Sequence, residues 1–370
     1  VVVSAMGKTT DGLLEQARQV AKAPPRRELD MLLTCGERAS MALLAMALDD
    51  VGVRCISFTG SQSGIMTSDR HSDARILEVR PYRVQDELDD GKVVIVAGFQ
   101  GVSYRREITT LGRGGSDTTA VALAAALDAV SCEIYSDVDG VFTADPRVVP
   151  QATKLEELGY EEMQELAEGG AKVLNAQAVQ FAKARGIAIY ARKTGDAGLG
   201  TVVRKGASPP AGGVRGIAHK GRLFSLLAHD IDNAEALLAH LELHQLRPGQ
   251  LFGQAREGAA GAGGLFCLVS PDDAHGHEQC FATLPSGCER GADRAAVSLV
   301  GEGLLESGRV LQALLSVLRE EQIPCHGLST SSFRATALVD SERCDDAVRA
   351  LHRHFLEHER HEAAADTPPL

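Results

Sequence analysis

Gly112-Arg113-Gly114-Gly115-Ser116-Asp117 runs straight into Thr118-Thr119-Ala120-Val121-Ala122-Leu123-Ala124-Ala125-Ala126-Leu127. Adjacent glycines let backbone amides approach a ligand closely, and the Ala-rich run that follows is strongly helix-forming. A glycine turn feeding a helix N-terminus is a natural anion site, because the first-turn amides and the helix dipole point the same way. Ser116 and Asp117 stand where an N-cap belongs. Arg113 adds a fork that grips a carboxylate at two points. A plain capped turn has the same spacing, so this stretch alone leaves both readings open.

On either side, strands alternate with helices. Val1–Ser4, Val51–Phe58, the fully apolar Val93–Ala97, Glu133–Ser136 and Ile187–Ala191 read as strands. Gly12–Ala21, Ser116–Ala129, Glu161–Ala167 and Lys172–Ala184 read as helices. This order predicts an α/β domain with a mainly parallel sheet. Gly206–Gly213 (GASPPAGG) has nothing to bury and marks the main boundary, and Gly258–Gly264 (GAAGAGG) reads as a surface loop. Beyond the boundary come a strand at Ala296–Val300, a helix at Val310–Arg319, a strand at Thr336–Val339 and a helix at Ala347–Phe355. That order suggests a small ferredoxin-like α+β unit, and Ile217–Leu268 repeats it loosely.

Composition narrows the partners. The 370 residues carry a net charge of -12, with -4 before Val214 (24 basic, 28 acidic) and -8 after it (14 basic, 22 acidic). Neither half offers the clustered positive charge that nucleic acid or an anionic membrane requires. No uninterrupted apolar run reaches the roughly 18 residues of a membrane span. Eight scattered cysteines form no C-x-x-C and read as reduced thiols of a cytoplasmic protein. Eleven of the twelve histidines lie from His219 onward, including the His240/His244 pair and the group His352, His354, His358 and His361. No cysteine or acid at ligand spacing completes a set with them, so no metal site is expected.

Other stretches carry chemistry. Ser136–Arg147 (SDVDGVFTADPR) follows a strand with three acids and a Gly turn. Such acids can hold a ribose or a metal–nucleotide, Phe142 offers a stacking face, and Arg147 can meet phosphate. An ordinary Asp/Gly turn reads the same way. Glu37, in MLLTCGER, can accept from a substrate ammonium. Ser4, Thr9 and Thr10 place hydroxyls at a strand-to-helix turn, where they either hold an anion or cap the helix. Lys172, read as opening a helix after Gly169-Gly170-Ala171, opposes the helix dipole and so hints at an anionic ligand.

Taken together, SAMGKTTD (Ser4–Asp11), LDMLLTCGER (Leu29–Arg38), SFTGSQSG (Ser57–Gly64), VAGFQG (Val96–Gly101), TTLGRGGSDTTAVALAAAL (Thr109–Leu127) and SDVDGVFTADPR resemble the aspartate kinase family. VSLVGEG (Val297–Gly303), LSTSSF (Leu328–Phe333) and AVRALHRHF (Ala347–Phe355) resemble its ACT regulatory domains. The resemblance implies an amino-acid-kinase fold, a three-layer architecture with a mainly parallel sheet, followed by tandem ferredoxin-like α+β ACT domains. The expected boundaries are a catalytic domain over 1–205, a linker over 206–214, a divergent ACT-like unit over 215–294, an ACT domain over 295–360 and a tail over 361–370. It implies transfer of the γ-phosphate of ATP to the β-carboxylate of L-aspartate, the first step toward lysine, threonine and methionine.

Position by position, the resemblance gives Arg113 the substrate α-carboxylate and Glu37 its ammonium. Thr10, Gly114, Gly115 and Ser116 join them on the substrate, and Asp117 works with Arg113 in catalysis. Ser4, Ser136, Asp137, Phe142, Arg147 and Lys172 fall along the nucleotide, with Mg2+ carried on its phosphates. Homo-oligomers through the ACT domains and a lysine or threonine effector are implied as well. Glu37 with Arg113 argues against a carbamate or nucleotide kinase of the same fold group.

Three departures stand out. The family's opening strand and K-F/Y-G-G-[ST]-S loop do not precede Ser4, so the chain is read as a piece of a longer product with little activity as it stands, and Val1–Ser4 as lacking a sheet neighbour. Asn175-Ala176-Gln177 stand where His-Pro-Arg is common. HDIDNAEALL (His229–Leu238) lacks the Asp-x-Pro-Gly turn of an effector site, and HEAAADTPPL (His361–Leu370) stands where a final strand belongs, so a reduced or altered effector response is expected. A non-catalytic regulatory homologue and a kinase for another amino acid such as glutamate are the rival readings.

Overall fold

The computed structural model describes residues 1–112, 114–207, 213–244, 246, 248–249, 251–255, 263–271 and 278–357. The chain divides into two compact units. The first is Val1–Val141 with Lys154–Ala167 and Lys172–Ser208, and the second is Phe142–Thr153 with Glu168–Ala171 and Pro209–Leu370. The division is not a single cut near residue 205, since two short segments from the first half of the chain pack within the second unit.

The first unit begins with β1 (Val2–Val3), α1 (Thr9–Val20), α2 (Arg26–Asp50) and β2 (Cys55–Phe58). There follow β3 (Ile65–Thr67), β4 (Ile76–Val79), α3 (Tyr82–Asp89), β5 (Val93–Ala97), β6 (Gln100–Ser103) and β7 (Ile108–Thr110). It closes with α4 (Gly115–Ala126), β8 (Ser131–Ser136), β9 (Glu157–Leu158), α5 (Tyr160–Gly169), α6 (Ala176–Arg185), β10 (Ala188–Lys193) and β11 (Thr201–Val203). Three sheets result, ordered β1-β5-β2, β8-β10-β11-β9 and β4-β3-β6-β7. The first is wholly parallel, and β8 pairs parallel with β10, as the alternating pattern predicts. β5 reads as continuous apolar sequence because a central parallel strand is covered on both faces. Val1–Ser4 is not without a neighbour, contrary to expectation, because Val2 and Val3 pair with Val96 and Ala97.

α2 corrects the run-length reading. Its sequence is long and apolar enough to cross a membrane by length and composition, although Glu37 and Arg38 interrupt the run. In the fold it packs on α1, β2, β5 and β7. It buries Asp30, Thr34, Glu37 and Ser40 along with Leu33, and these polar groups mark a face built around hydrogen bonds. α4 is apolar nearly all round and buries Val121, Ala122, Leu123 and Ala125, as a helix enclosed by its own unit must.

The second unit carries β12 (Gly216–Ala228), α7 (Ile231–Leu243), β13 (Leu251–Ala255), β14 (Gly263–Val269), α8 (Glu278–Ala282) and β15 (Cys288–Arg290). β16 (Arg294–Val300), α9 (Arg309–Glu320), β17 (Gly327–Ser331), β18 (Arg334–Asp340) and α10 (Cys344–His352) follow. Its seven strands form one sheet, ordered β13-β14-β12-β16-β18-β17 with β15 also on β12. The long β12 joins two ferredoxin-like halves, because one end pairs with β16 and the other with β14 and β15. α9 and α10 bury Leu314, Leu318, Val348 and Leu351 against Val297, Leu299 and Val339, and Ala144 and Val149 join that core. The Gly258–Gly264 loop and the 206–214 linker fall largely outside the described residues, and the 361–370 tail wholly so.

Candidate active site

The first unit brings the ends of β1 and β5, the middle of α2 and the start of α4 together. Gly98 follows β5 directly, and a Cβ there would lie 2.7 Å from Ser116 Oγ and 3.0 Å from Ser116 Cα. Its missing side chain lets α4 begin against the strand end. Ser4, just past β1, then donates to Ser116 Oγ at 2.6 Å. A Cβ on Gly36 would sit 2.8 Å from Ala5 Cβ, so the turn after β1 lies directly on α2. The Ala5 N–H donates to Glu37 Oε1 at 3.1 Å.

Glu37 is only 4% exposed, and its other oxygen, Oε2, is fully buried without a hydrogen-bond partner among the described residues. Burial raises its pKa, against the pull of its own and Ala5's backbone amides. A buried carboxylate left half satisfied calls for a further donor.

Two turns away on the same helix, Asp30 is fully buried and saturated. Its oxygens accept from Thr110 Oγ1 at 2.6 Å and from the Ser72 N–H at 3.0 and 3.2 Å, and His71 Nδ1 lies 2.6 Å away. Thr110 ends β7 two residues before Gly112, so this network anchors the approach to the glycine turn.

The turn itself departs from expectation. Gly114, not Ser116 or Asp117, occupies the N-cap of α4, in the left-handed region at φ 67°. Glycine is required there twice over, because a Cβ would also meet Asn175 Nδ2 at 2.7 Å. Helical geometry therefore starts at Gly115, which puts Ser116 and Asp117 inside the first turn. Asp117 is half-buried, and burial pushes its carboxyl up to about 6 despite a hydrogen bond from the Asn175 backbone. Arg113 lies outside the described residues.

Lys172 is likewise displaced from its expected place. α6 starts at Ala176, where Asn175 caps it by accepting from the Gln177 and Ala178 amides at 2.8 and 3.4 Å. Lys172 is an exposed residue before that cap, so the dipole argument for it lapses. Asn175 does more here than its place in the sequence announces. Its Oδ1 also accepts from Thr118 Oγ1 at 3.2 Å, tying α6 to α4 beside Gly114. An Asn ahead of a helical run is a recognisable cap, but its partner on α4 is 57 positions away.

The remaining candidates spread out. Thr10 lies half-buried in the first turn of α1, whereas Thr9 closes that turn locally by donating to the Met6 carbonyl at 2.7 Å. Ser136 Oγ accepts from the Val138 amide at 3.2 Å, and Asp137 is exposed beside it at the carboxyl end of β8. Phe142 and Arg147 belong to the second unit, and Arg147 holds Asp145 through contacts of 3.0 and 2.6 Å.

Comparison with known proteins identifies the family and the fold. The profile of the amino acid kinase family matches residues 1–192, and that of an ACT domain matches 297–355. Aspartokinase of Corynebacterium glutamicum is 42% identical over 380 residues, covering 96% of this chain and 87% of that protein. Among solved structures, E. coli aspartokinase III in complex with aspartate and ADP (R-state) aligns with a TM-score of 0.77 at 27% identity, covering 92% of this chain and 80% of that one. The same enzyme with lysine and aspartate (T-state) aligns at 0.66 and 25%, covering 94% and 80%. With a sequence relationship this close over nearly the whole length, and a fold that follows it, the chain is a member of the aspartokinase family, an amino acid kinase fold joined to ACT-type regulatory structure.

Proposed function

We propose that this protein is an aspartate kinase, transferring the γ-phosphoryl group of ATP to the β-carboxylate of L-aspartate. The reading rests on the buried Oε2 of Glu37, without a partner among the described residues, beside the Ser4–Ser116 pair. An α-ammonium brings the donors and the positive charge that Glu37 lacks, and a charge-assisted bond in a dry site is a strong one. Aspartate's second carboxylate then reaches toward the hydroxyls of Ser4, Thr10 and Ser116, while Arg113 takes the α-carboxylate.

A β-carboxylate oxygen attacks the γ-phosphorus, the bond to the β,γ-bridging oxygen breaks, and ADP leaves with that electron pair. The products are 4-phospho-L-aspartate and ADP. The chain needs no covalent chemistry for this. Positioning and charge neutralisation carry such transfers. The hydroxyls and first-turn amides of α4 hold the reacting groups, and Asp117, anchored through Asn175, fixes the substrate turn. Ser136 and Asp137 supply hard oxygen donors at the carboxyl end of β8, fit for a ribose and for a hydrated Mg2+ carried by the nucleotide. That ion supplies neutralisation of phosphate charge when bound. Lys172 is assigned to the phosphates, and the nucleotide site is placed on first-unit residues alone.

For the second unit, an amino-acid effector and ACT-mediated homo-oligomers are part of the same proposal. Asp230 spends its side chain capping α7, accepting from the Asn233 amide at 2.8 Å. This supports a weakened response to lysine and threonine, and strong inhibition by either would contradict it. All eight cysteines are unpaired, which supports a reducing, cytoplasmic setting.

The direct test is ADP release in the presence of each candidate acceptor, with hydroxylamine trapping of the acyl phosphate. L-aspartate should give both signals. Turnover with L-glutamate alone, or nucleotide and aspartate both failing to bind, would overturn the assignment.

A further inference from the structure

The sequence puts His240 and His244 one helical turn apart with no third ligand in reach. The fold supplies one. α7 and α8 bring Cys280, 40 positions after His240, against the histidine face. Cys280 is fully buried, and its carbonyl oxygen lies 2.9 Å from His240 Nε2. The two imidazole centroids are 4.5 Å apart. One ligand atom from each of His240, His244 and Cys280 lies within 4.8 Å of the other two. We propose that these three side chains form a binding site for a zinc-class divalent cation in the second unit.

The donor set is two imidazoles and a thiolate, without a hard oxygen, which favours zinc over magnesium or calcium. Three protein ligands leave a fourth position for water, a common zinc arrangement. Bond lengths of about 2.0–2.3 Å set edges of roughly 3.3–3.7 Å in a tetrahedron, so the site must contract by about 1 Å on binding. His244 can supply that movement, because it is the C-cap residue of α7. With its proton on Nε2, His240 is oriented by the Cys280 carbonyl and keeps a lone pair on Nδ1, as ligating histidines commonly do. Binding through the thiolate releases the Cys280 proton to solvent. Such an ion would tie α7 to the segment that leads into β15.

The cluster His219, Cys344 and Asp345 meets the same distance limit but includes an exposed carboxylate, and it serves as an internal control.

Titrating the metal-free full chain with Co2+ reads the site directly. One equivalent should produce a sulfur-to-cobalt charge-transfer band that Zn2+ abolishes. Cys280→Ser should remove the band, His244→Gln should weaken binding by about tenfold or more, and Cys344→Ser should leave both unchanged. Absence of the band, its persistence in Cys280→Ser, or its loss in Cys344→Ser would overturn the proposal. Since Cys280 lies in the core, thermal melting provides a second reading. Zinc should raise Tm in the parent chain and not in His244→Gln, and equal rises in both would contradict the site.

Discussion

Asp30 and Glu37 sit two turns apart on one face of α2, both buried, and they serve opposite ends. Asp30 is saturated by Thr110, Ser72 and His71. Among the described residues, Glu37 accepts a single bond from another residue, Ala5, and keeps one oxygen unpartnered. A buried carboxylate whose lone pairs are all used holds structure in place. One that is left half used spends stability on a ligand, because desolvation is offset only when a donor arrives. Helix, burial and charge are shared, so partner count alone separates anchor from binding group.

Four substitutions test that contrast. Asp30→Ala strips three donors of their acceptor and should cost about 3 kcal/mol of stability, seen as a fall in the denaturation midpoint. A neutral result would make Asp30 incidental. Glu37→Gln keeps the shape and removes the charge. It should weaken L-aspartate binding about 100-fold in calorimetry, equivalent to about 2.7 kcal/mol, with stability held or raised. Destabilisation comparable to Asp30→Ala would erase the distinction between the two.

Gly98→Ala leaves both carboxylates alone and pushes on Ser116. It should cut phosphoryl transfer about tenfold while aspartate binding changes less, in line with the sensitivity of transfer to small displacements. Asp117 lies between the extremes, half-buried with a carboxyl pushed up to about 6. Its native pKa exceeds the unfolded value, so the folded state binds the extra proton between about pH 4 and 6. Stability from that proton is present at low pH and lost as pH rises through 6. The stability of the parent chain relative to Asp117→Asn should therefore decline over that range, and a flat difference would contradict the assignment.

The sequence revealed what local pattern encodes. β5 is announced by its apolar run, α4 by its glycine turn and alanines, and α9 and α10 by their amphipathic spacing. The mixed sheet of β3, β4, β6 and β7 was not legible, because strands of three or four residues gain their stability from pairing partners and not from propensity. α2 announces itself by its motif around Glu37 and not as a helix, since its small and polar residues blur the apolar stripe. Lys172 lies one turn ahead of the helix because the cap at Asn175 outranks the glycines before it. The residues of the site were legible as types, but not their satisfaction. Nothing local states that Thr110 and Ser72 saturate Asp30 while Glu37 Oε2 has no partner among the described residues. The same holds for Cys280, which meets two histidines only through the packing of α8 on α7.

The most direct test of the central claim compares L-aspartate with succinate, which lacks only the ammonium. Calorimetry on the parent chain should show aspartate bound about 100-fold more tightly, and Glu37→Gln should bring the two ligands close to equal. The same preference for aspartate in both proteins would mean that Glu37 does not read the ammonium, and the account of the site would fail.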